Sequence, residues 1–391
     1  MNLLLISIDS LRLDFVSRTN QHIRTPYFDK LTHKFCFYPG LFSTASATRP
    51  VHTSLFTGLY PFEHGILGQS TSKMRSDVPT LFDLAKNSGI EIQAFSEVNT
   101  LFTGLPYAPN IVDYKASHLL KSLTSNSSHQ RILFLHLWGV HTPYGARDSS
   151  ALGETAELLK AGRHDIVRHR YSRAIERTFE NQIAPLINKT DPSKWAIIIF
   201  SDHGESWTLE EPYHGYTLKN SVLRVPLYFH IPHSGNPSPV HAVMSVIDLF
   251  PSILNLCRID NDYNGFAQDL LSSRSSKSFK CAQIHPDPLP NDLVFDIDHN
   301  PSTNTNYPGK QWSLFNEQVK HIYDEDNNYR QTVNVFDETI LDDPQWDNKF
   351  FDSKWDEFCA TSNWAKRSYK EGNESDRDIL NRQLRDLGYL E

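Results

Sequence analysis

Three short stretches place reactive side chains where strand ends could bring them together. The first is Asp9, which closes the apolar run Leu3–Ile8 and precedes Ser10. A carboxylate there reads with equal weight as a helix N-cap or as a functional oxygen. The second is Ser201-Asp202-His203-Gly204-Glu205, directly after the apolar run Trp195–Phe200. Adjacent Asp and His side chains diverge from a strand end unless the backbone turns, and Gly204 permits a turn. They offer one hard oxygen and one imidazole nitrogen, a pair suited to a transition metal. Taken with Asp9, a metal site outweighs an acidic surface loop. The third is Thr48, within Thr44–Pro61. Pro50 fits the first turn of a helix. Thr48 then stands at the helix entrance, where the dipole and open N–H groups favour an anionic oxygen. On this segment alone, a plain capping role for Thr48 is favoured.

Such residues need a scaffold that gathers strand ends. Leu3–Ile8, Ile90–Phe95, Ile132–Leu137, Trp195–Phe200 and Val225–Phe229 read as buried parallel strands. Helical patterns at Leu81–Asn87, Tyr171–Ile183 and Ile247–Leu256 lie between them, the second ending before Pro185. This predicts the α/β class: a mostly parallel central sheet with helices on both faces, its chemistry carried by loops at the carboxyl ends of strands. Past Asp269 the texture changes to polar connection. Gln311–Phe315, Gln318–Tyr323 and Tyr329–Phe336 then read as short strands, and a helix runs from Ser375 as N-cap to Gly388. The division expected is a catalytic domain over 1–275 and a small α+β subdomain over 276–391.

The chain of 391 residues is 39 % hydrophobic and carries a formal net charge of −8, enough core for one large domain with an appendage. The acidic balance argues against a nucleic-acid partner, while small anionic substrates stay compatible with a bound cation. The four cysteines, Cys36, Cys257, Cys281 and Cys359, show no ligand or redox spacing. With no leader-like segment and no apolar run of spanning length, a cytoplasmic enzyme with no membrane partner is expected. Oligomeric state is not readable.

In order and spacing these segments resemble the alkaline phosphatase superfamily, and within it the sulfatase-like branch. The sulfatase nucleophile segment reads Cys-x-Pro-Ser-Arg, with a Thr-Gly at fixed distance. Counting back from Thr57-Gly58 puts Thr48 at the Cys position, Pro50 at the Pro and His52 at the Arg. Ile8-Asp9-Ser10-Leu11-Arg12 is similar to the first metal motif and Ser201–Glu205 to the second. Leu135–Tyr144 resembles the central His motif, and His214–Leu218 followed by Arg224–Leu227 a late active-site segment. Val246–Pro251 and the closing Leu387–Glu391 also match.

The resemblance implies that Asp9, Thr48, Asp202 and His203 hold one divalent metal ion, with Thr48 as nucleophile. It further implies that His141 and His214 contact the ester oxygens, and it gives His52 a catalytic place. His64, His136 and His233 have no such motif support. Ser10 and His203 stand where many sulfatases have Asp and Asn. Fewer oxygens and an imidazole favour zinc or manganese over calcium or magnesium. Gly139 stands where an Asp is frequent, which favours a single metal. Thr48 cannot become formylglycine, so the expected reaction is hydrolysis of a small phosphate monoester, diester or phosphonate ester through a phosphothreonine. Sulfuric ester hydrolysis without formylglycine and soluble phosphoryl transfer are the alternatives. Arg49, Trp138, Tyr144, Trp207, Tyr213 and Tyr216 flank the motifs, either as pocket lining or as ordinary loop packing.

Overall fold

Leu3, Leu4, Leu5, Ile6 and Ile8 have no exposed surface, so the first strand, β1 (Asn2–Ile8), is buried on both faces. That explains its unbroken apolar run. The computed structural model describes residues 1–71, 73–75, 77–125, 127–145, 150–208, 212–234, 242–271, 279–287, 308–365, 379–382 and 384–385.

Seven further strands join β1 in one sheet. They are β2 (Cys36–Phe42), β3 (Glu91–Ser96), β4 (Ile111–Asp113), β5 (Arg131–Leu137), β6 (Trp195–Ser201), β9 (Arg224–His230) and β10 (Met244–Ser245). A two-stranded ribbon of β7 (Ser206–Trp207) and β8 (Pro212–Tyr213) lies apart. The order across the sheet is β10-β2-β9-β6-β1-β5-β3-β4. The mostly parallel sheet expected from sequence is therefore present, and the core lies on both of its faces. Leu3 and Leu5 pack into one cluster, Leu4, Ile6 and Ile8 into the other, as side chains of a strand alternate.

Three details differ from expectation. Val225–Phe229 falls in β9, which runs antiparallel to both neighbours, β2 and β6; a strand buried on both faces carries no local mark of its direction. β2 went unrecognised because Pro39 and Gly40 interrupt it, and its pairing shifts between Tyr38 and Leu41. The helix around Tyr171 does not stop before Pro185. It runs His164–Thr178, widens into a π turn at Phe179–Ile183 and resumes as Ala184–Lys189. The widened turn accommodates the proline ring and its missing donor.

The C-terminal sheet runs β11 (Lys280–Ile284), β12 (Gln311–Phe315), β13 (Val319–Asp324) and β14 (Tyr329–Asn334), all antiparallel. It is fastened to the larger sheet by a third apolar cluster in which Tyr60, Phe62 and Ile247 meet Trp312, Leu314 and Phe351. Of the expected terminal helix, residues 379–382 and 384–385 are helical, with Leu380 and Leu384 buried. Its caps at Ser375 and Gly388, and the motif Leu387–Glu391, lie outside the described residues. Among the described residues no helix is long and apolar enough to cross a membrane.

Candidate active site and metal centre

Strand register brings the distant motifs together. Ile8 pairs with Ser201, so Asp9 and Asp202 leave β1 and β6 side by side. Ser7 pairs with His136 and His136 with Ser96. Along β1 the positions facing the helix Thr48–Thr57 run Leu3, Leu5, Ser7 and then Asp9, apolar in the middle and polar at the carboxyl end. Along β5 they run Ile132, Phe134 and His136.

The loop after β6 is drawn in tightly. Gly204 N–H donates to Val222 O at 2.7 Å, and a Cβ on Gly204 would collide with Ser221 O. The glycine is required for that close approach, a different reason from the turn expected of it. Ser201 Oγ donates to Ile8 O at 2.8 Å and accepts from Leu11 N–H at 3.0 Å, fixing the two loops to each other. Ser10 holds φ of 58° beside the carboxylates, an uncommon conformation for a residue with a side chain, of the kind concentrated at functional sites.

Ala47, not Thr48, is the N-cap of the helix Thr48–Thr57, and no side chain caps it. The Thr48 hydroxyl turns instead to the strand ends, 3.2 Å from Asp9 Oδ2 and 3.3 Å from His203 Nε2. Thr48, Asp9, Asp202 and His203 are all fully buried. Asp9, Asp202 and His203 each offer a ligand atom within 4.8 Å of the others. His203 Nε2 lies 3.8 Å from Asp9 Oδ1 and 3.7 Å from Asp202 Oδ2.

This donor set fits a divalent ion on three counts. His203 Nδ1–H donates to Gly204 O at 3.0 Å, which fixes the tautomer and turns the Nε2 lone pair toward the carboxylates. Asp202 Oδ2 is buried without a hydrogen-bond partner. The two carboxylates also pull apart in acidity. Burial, then the charge of Asp9, pushes Asp202 well above the usual range. Burial opposes ionisation of Asp9 too, yet His141, His136 and His203 hold it well below that range. A cation at this position relieves both carboxylates. A second set, His52, His136 and Asp202, is equally compact, but its histidines are already engaged. His52 Nδ1–H donates to Thr48 O at 2.9 Å, and Nε2 meets Ser7 Oγ at 3.0 Å. Ser96 Oγ lies 2.8 Å from His136 Nδ1, whose lone pair faces it when Nε2 carries the proton. His136 Nε2–H then donates to Asp9 Oδ2 at 3.2 Å.

His141 and His214 retain slight exposure, 3 % and 5 %, and so form the mouth of the site. Their rings lie 4.8 Å apart, and His214 is 4.5 Å from His203. His141 donates from Nδ1 to Thr142 O at 2.6 Å and stacks on Trp138 at 3.5 Å. Burial lowers its pKa, so it is neutral near pH 7. His214 Nδ1 lies 3.1 Å from Glu205 Oε1. Burial disfavours its charge, but Glu205 overrides this and raises its pKa. Behind Glu205, Trp207 Nε1–H donates to Tyr144 OH at 2.7 Å, and Tyr144 OH lies 3.4 Å from Glu205 Oε2. A cavity of about 670 Å³ opens beside His141 and Trp138.

The remaining candidates are placed as follows. Arg49 points away from the centre, donating to Leu101 O, Thr103 O and Thr71 O. Tyr213 is buried, and Tyr216 lines a small cavity beside His214. His64 is structural, bonded to Ser54 Oγ and Ile66 N–H, and His233 is exposed. The parts of His136 and Glu205 are not among the roles expected from the motifs. His136 was detectable as the polar last member of the helix-facing row of β5. Glu205 was not, because its partner lies nine residues on, across a loop.

The family profile described as Sulfatase matches residues 1–259. Among solved structures the chain is similar to a putative sulfatase from Bacteroides thetaiotaomicron, with TM-score 0.68, 12 % identity and 96 % of each chain covered. It is also similar to a phosphonate monoester hydrolase of Agrobacterium radiobacter, with TM-score 0.59, 13 % identity and coverage of 91 % and 94 %. A phosphonate monoester hydrolase from Silicibacter pomeroyi follows, with TM-score 0.58, 14 % identity and coverage of 86 % and 89 %. At these identities the structural likeness establishes the fold. No curated protein matches the sequence.

Proposed function

This chain belongs to the sulfatase family and is a metal-dependent ester hydrolase, and on that premise we propose that it cleaves phosphate esters with Thr48 as nucleophile. The observation that carries this reading is the Thr48 hydroxyl, uncapped and aimed at Asp9 and His203. Asp9, Asp202 and His203, joined by Thr48, would hold the ion, zinc or manganese before calcium or magnesium. Once bound, it supplies positive charge that acidifies the Thr48 hydroxyl and polarises an ester oxygen.

The protein's own groups do the rest. Thr48 Oγ gives up its proton to solvent and forms a bond to phosphorus in line as the bond to the leaving alcohol breaks, giving a phosphothreonine. His214, kept cationic by Glu205, donates its proton to the departing oxygen. His141, neutral with its one N–H held by Thr142 O, presents an Nε2 lone pair that accepts a hydrogen bond from a protonated non-bridging oxygen. The N-terminus of the helix Thr48–Thr57 stabilises the equatorial charge. Water then cleaves the phosphothreonine, with His214 receiving the proton. His52 and His136 touch no substrate; they hold Thr48 and Asp9 in place.

A sulfuric ester is the second reading, favoured by the family. Against it stands Thr48, which cannot form the aldehyde hydrate that expels sulfate by elimination. The test is a panel of aryl phosphate, bis-aryl phosphate, phosphonate monoester and aryl sulfate, assayed with zinc and with manganese. Faster turnover of a phosphorus ester supports the proposal. A preference for the aryl sulfate overturns it.

A further inference from the structure

A second, much smaller cavity of about 20 Å³ borders His214 and is lined further by Ala47, Gln69, Tyr216, Ile284, His285 and Asp287. It sits where the N-cap of the nucleophile helix meets the C-terminal subdomain. A space of this size holds one water molecule and nothing larger. Gln69 is 4 % exposed. Its Oε1 accepts the Arg49 N–H at 3.1 Å, which fixes the amide and leaves Nε2 buried with no hydrogen-bond partner. A buried amide donor left unsatisfied is costly, so at a cavity of this size it marks a place built for a small polar occupant.

We infer that this slot stores the water that cleaves the phosphothreonine, with Gln69 as its positioning residue. The inference rests on the reading of Thr48 as nucleophile and deepens it. The slot borders His214 while the ester occupies the reaction position, so one water waits beside the imidazole until the alcohol departs. Its oxygen then bonds to phosphorus as the bond from phosphorus to Thr48 Oγ breaks. One water proton passes to His214 Nε2, and Thr48 recovers a proton from solvent. A stored water has an advantage over any alcohol, which cannot fit the slot and must enter from bulk solvent. The slot therefore biases the enzyme toward hydrolysis and away from phosphoryl transfer.

The test is product partition in the metal-loaded protein. Hydrolysis of an aryl phosphate in added ethylene glycol is followed by phosphorus NMR, giving the ratio of alkyl phosphate to inorganic phosphate. Gln69→Leu removes the donor and should raise that ratio at least fivefold, while the rate of aryl alcohol release in the first turnover changes less than threefold. His285→Ala widens the slot from the subdomain side, leaves Gln69 in place and should raise the ratio as well. An unchanged ratio in both folded variants overturns the slot. Thr48→Ala separates the two claims: full activity there with altered partition in Gln69→Leu keeps the slot and discards the nucleophile. Loss of activity with unchanged partition does the reverse.

Discussion

Thr48 Oγ1 lies 3.2 Å from Asp9 Oδ2, across 39 residues of sequence, and 3.3 Å from His203 Nε2, so both of its hydrogen-bond contacts among the described residues are at strand ends. Capping would have turned the side chain back on its own helix. Its direction supports the place proposed for it, and the chemistry proposed for the centre follows from what surrounds Asp9 and Asp202.

The metal-free protein strains Asp202. Its pKa is raised by burial and by Asp9, so its ionisation is unfavourable above the ordinary carboxylate range and destabilises the fold as pH rises. Asp202→Asn should raise the melting temperature of metal-free protein at pH 7 by a few degrees. The same change should abolish the gain that zinc or manganese gives the parent protein, about 2.7 kcal/mol at a hundredfold excess over Kd. Thermal scans with and without metal measure both. A metal-induced gain that survives in Asp202→Asn excludes this ligand.

His214 depends on Glu205 for its charge. The folded pKa is raised, so the cation needed to protonate a leaving group is present below that pKa and lost as pH rises through it. Glu205→Gln should move the descending limb of the kcat/KM profile to lower pH. Its effect at pH 7.5 should be large for alkyl esters, on the order of 10², and small for nitrophenyl esters, which need no proton. Equal losses on both would remove His214 from the acid role.

A separate pH dependence arises where the two subdomains meet. Glu63 is 1 % exposed, accepts from Tyr60 N–H and Ser362 Oγ, and burial raises its pKa to about 7. Because the folded pKa exceeds the unfolded value of 4.5, the stability contribution is complete below pH 4.5 and is lost as pH rises through 7. Over that window the parent protein should lose roughly 3 kcal/mol relative to Glu63→Gln. Urea melts of both proteins at pH 5 and pH 8 read it directly. Parallel stability curves would show that Glu63 ionises without cost.

Much of this centre is written locally. Asp9 and Asp202-His203 end apolar runs, and a carboxylate that ends a buried strand has few structural uses. Thr48 stands out only through the family resemblance and its distance to Thr57-Gly58; the segment alone favours a capping role, which the structure gives to Ala47. His136 shows in the sequence only as a polar break in the apolar run of β5; its role depends on its pairing with Ser7 and Ser96. The direction of β9 and the place of β2 are equally non-local, being set by which neighbours they find. The helix past Pro185 misled because a π turn, invisible in residue pattern, absorbs the proline. Gln69 shows the same limit: nothing around it in sequence says that its amide faces a slot beside His214.

The most direct measurement of the central claim is an acid quench of metal-loaded protein during turnover of an aryl phosphate, followed by mass spectrometry of the peptide containing Thr48. A phosphate on Thr48 that forms within the first turnover, decays with the steady state and is absent in Thr48→Ala is the expected result. Thr48→Ala should also lose activity by at least about 10³. Turnover at the parent rate by Thr48→Ala, or phosphate found only on another residue, contradicts the account.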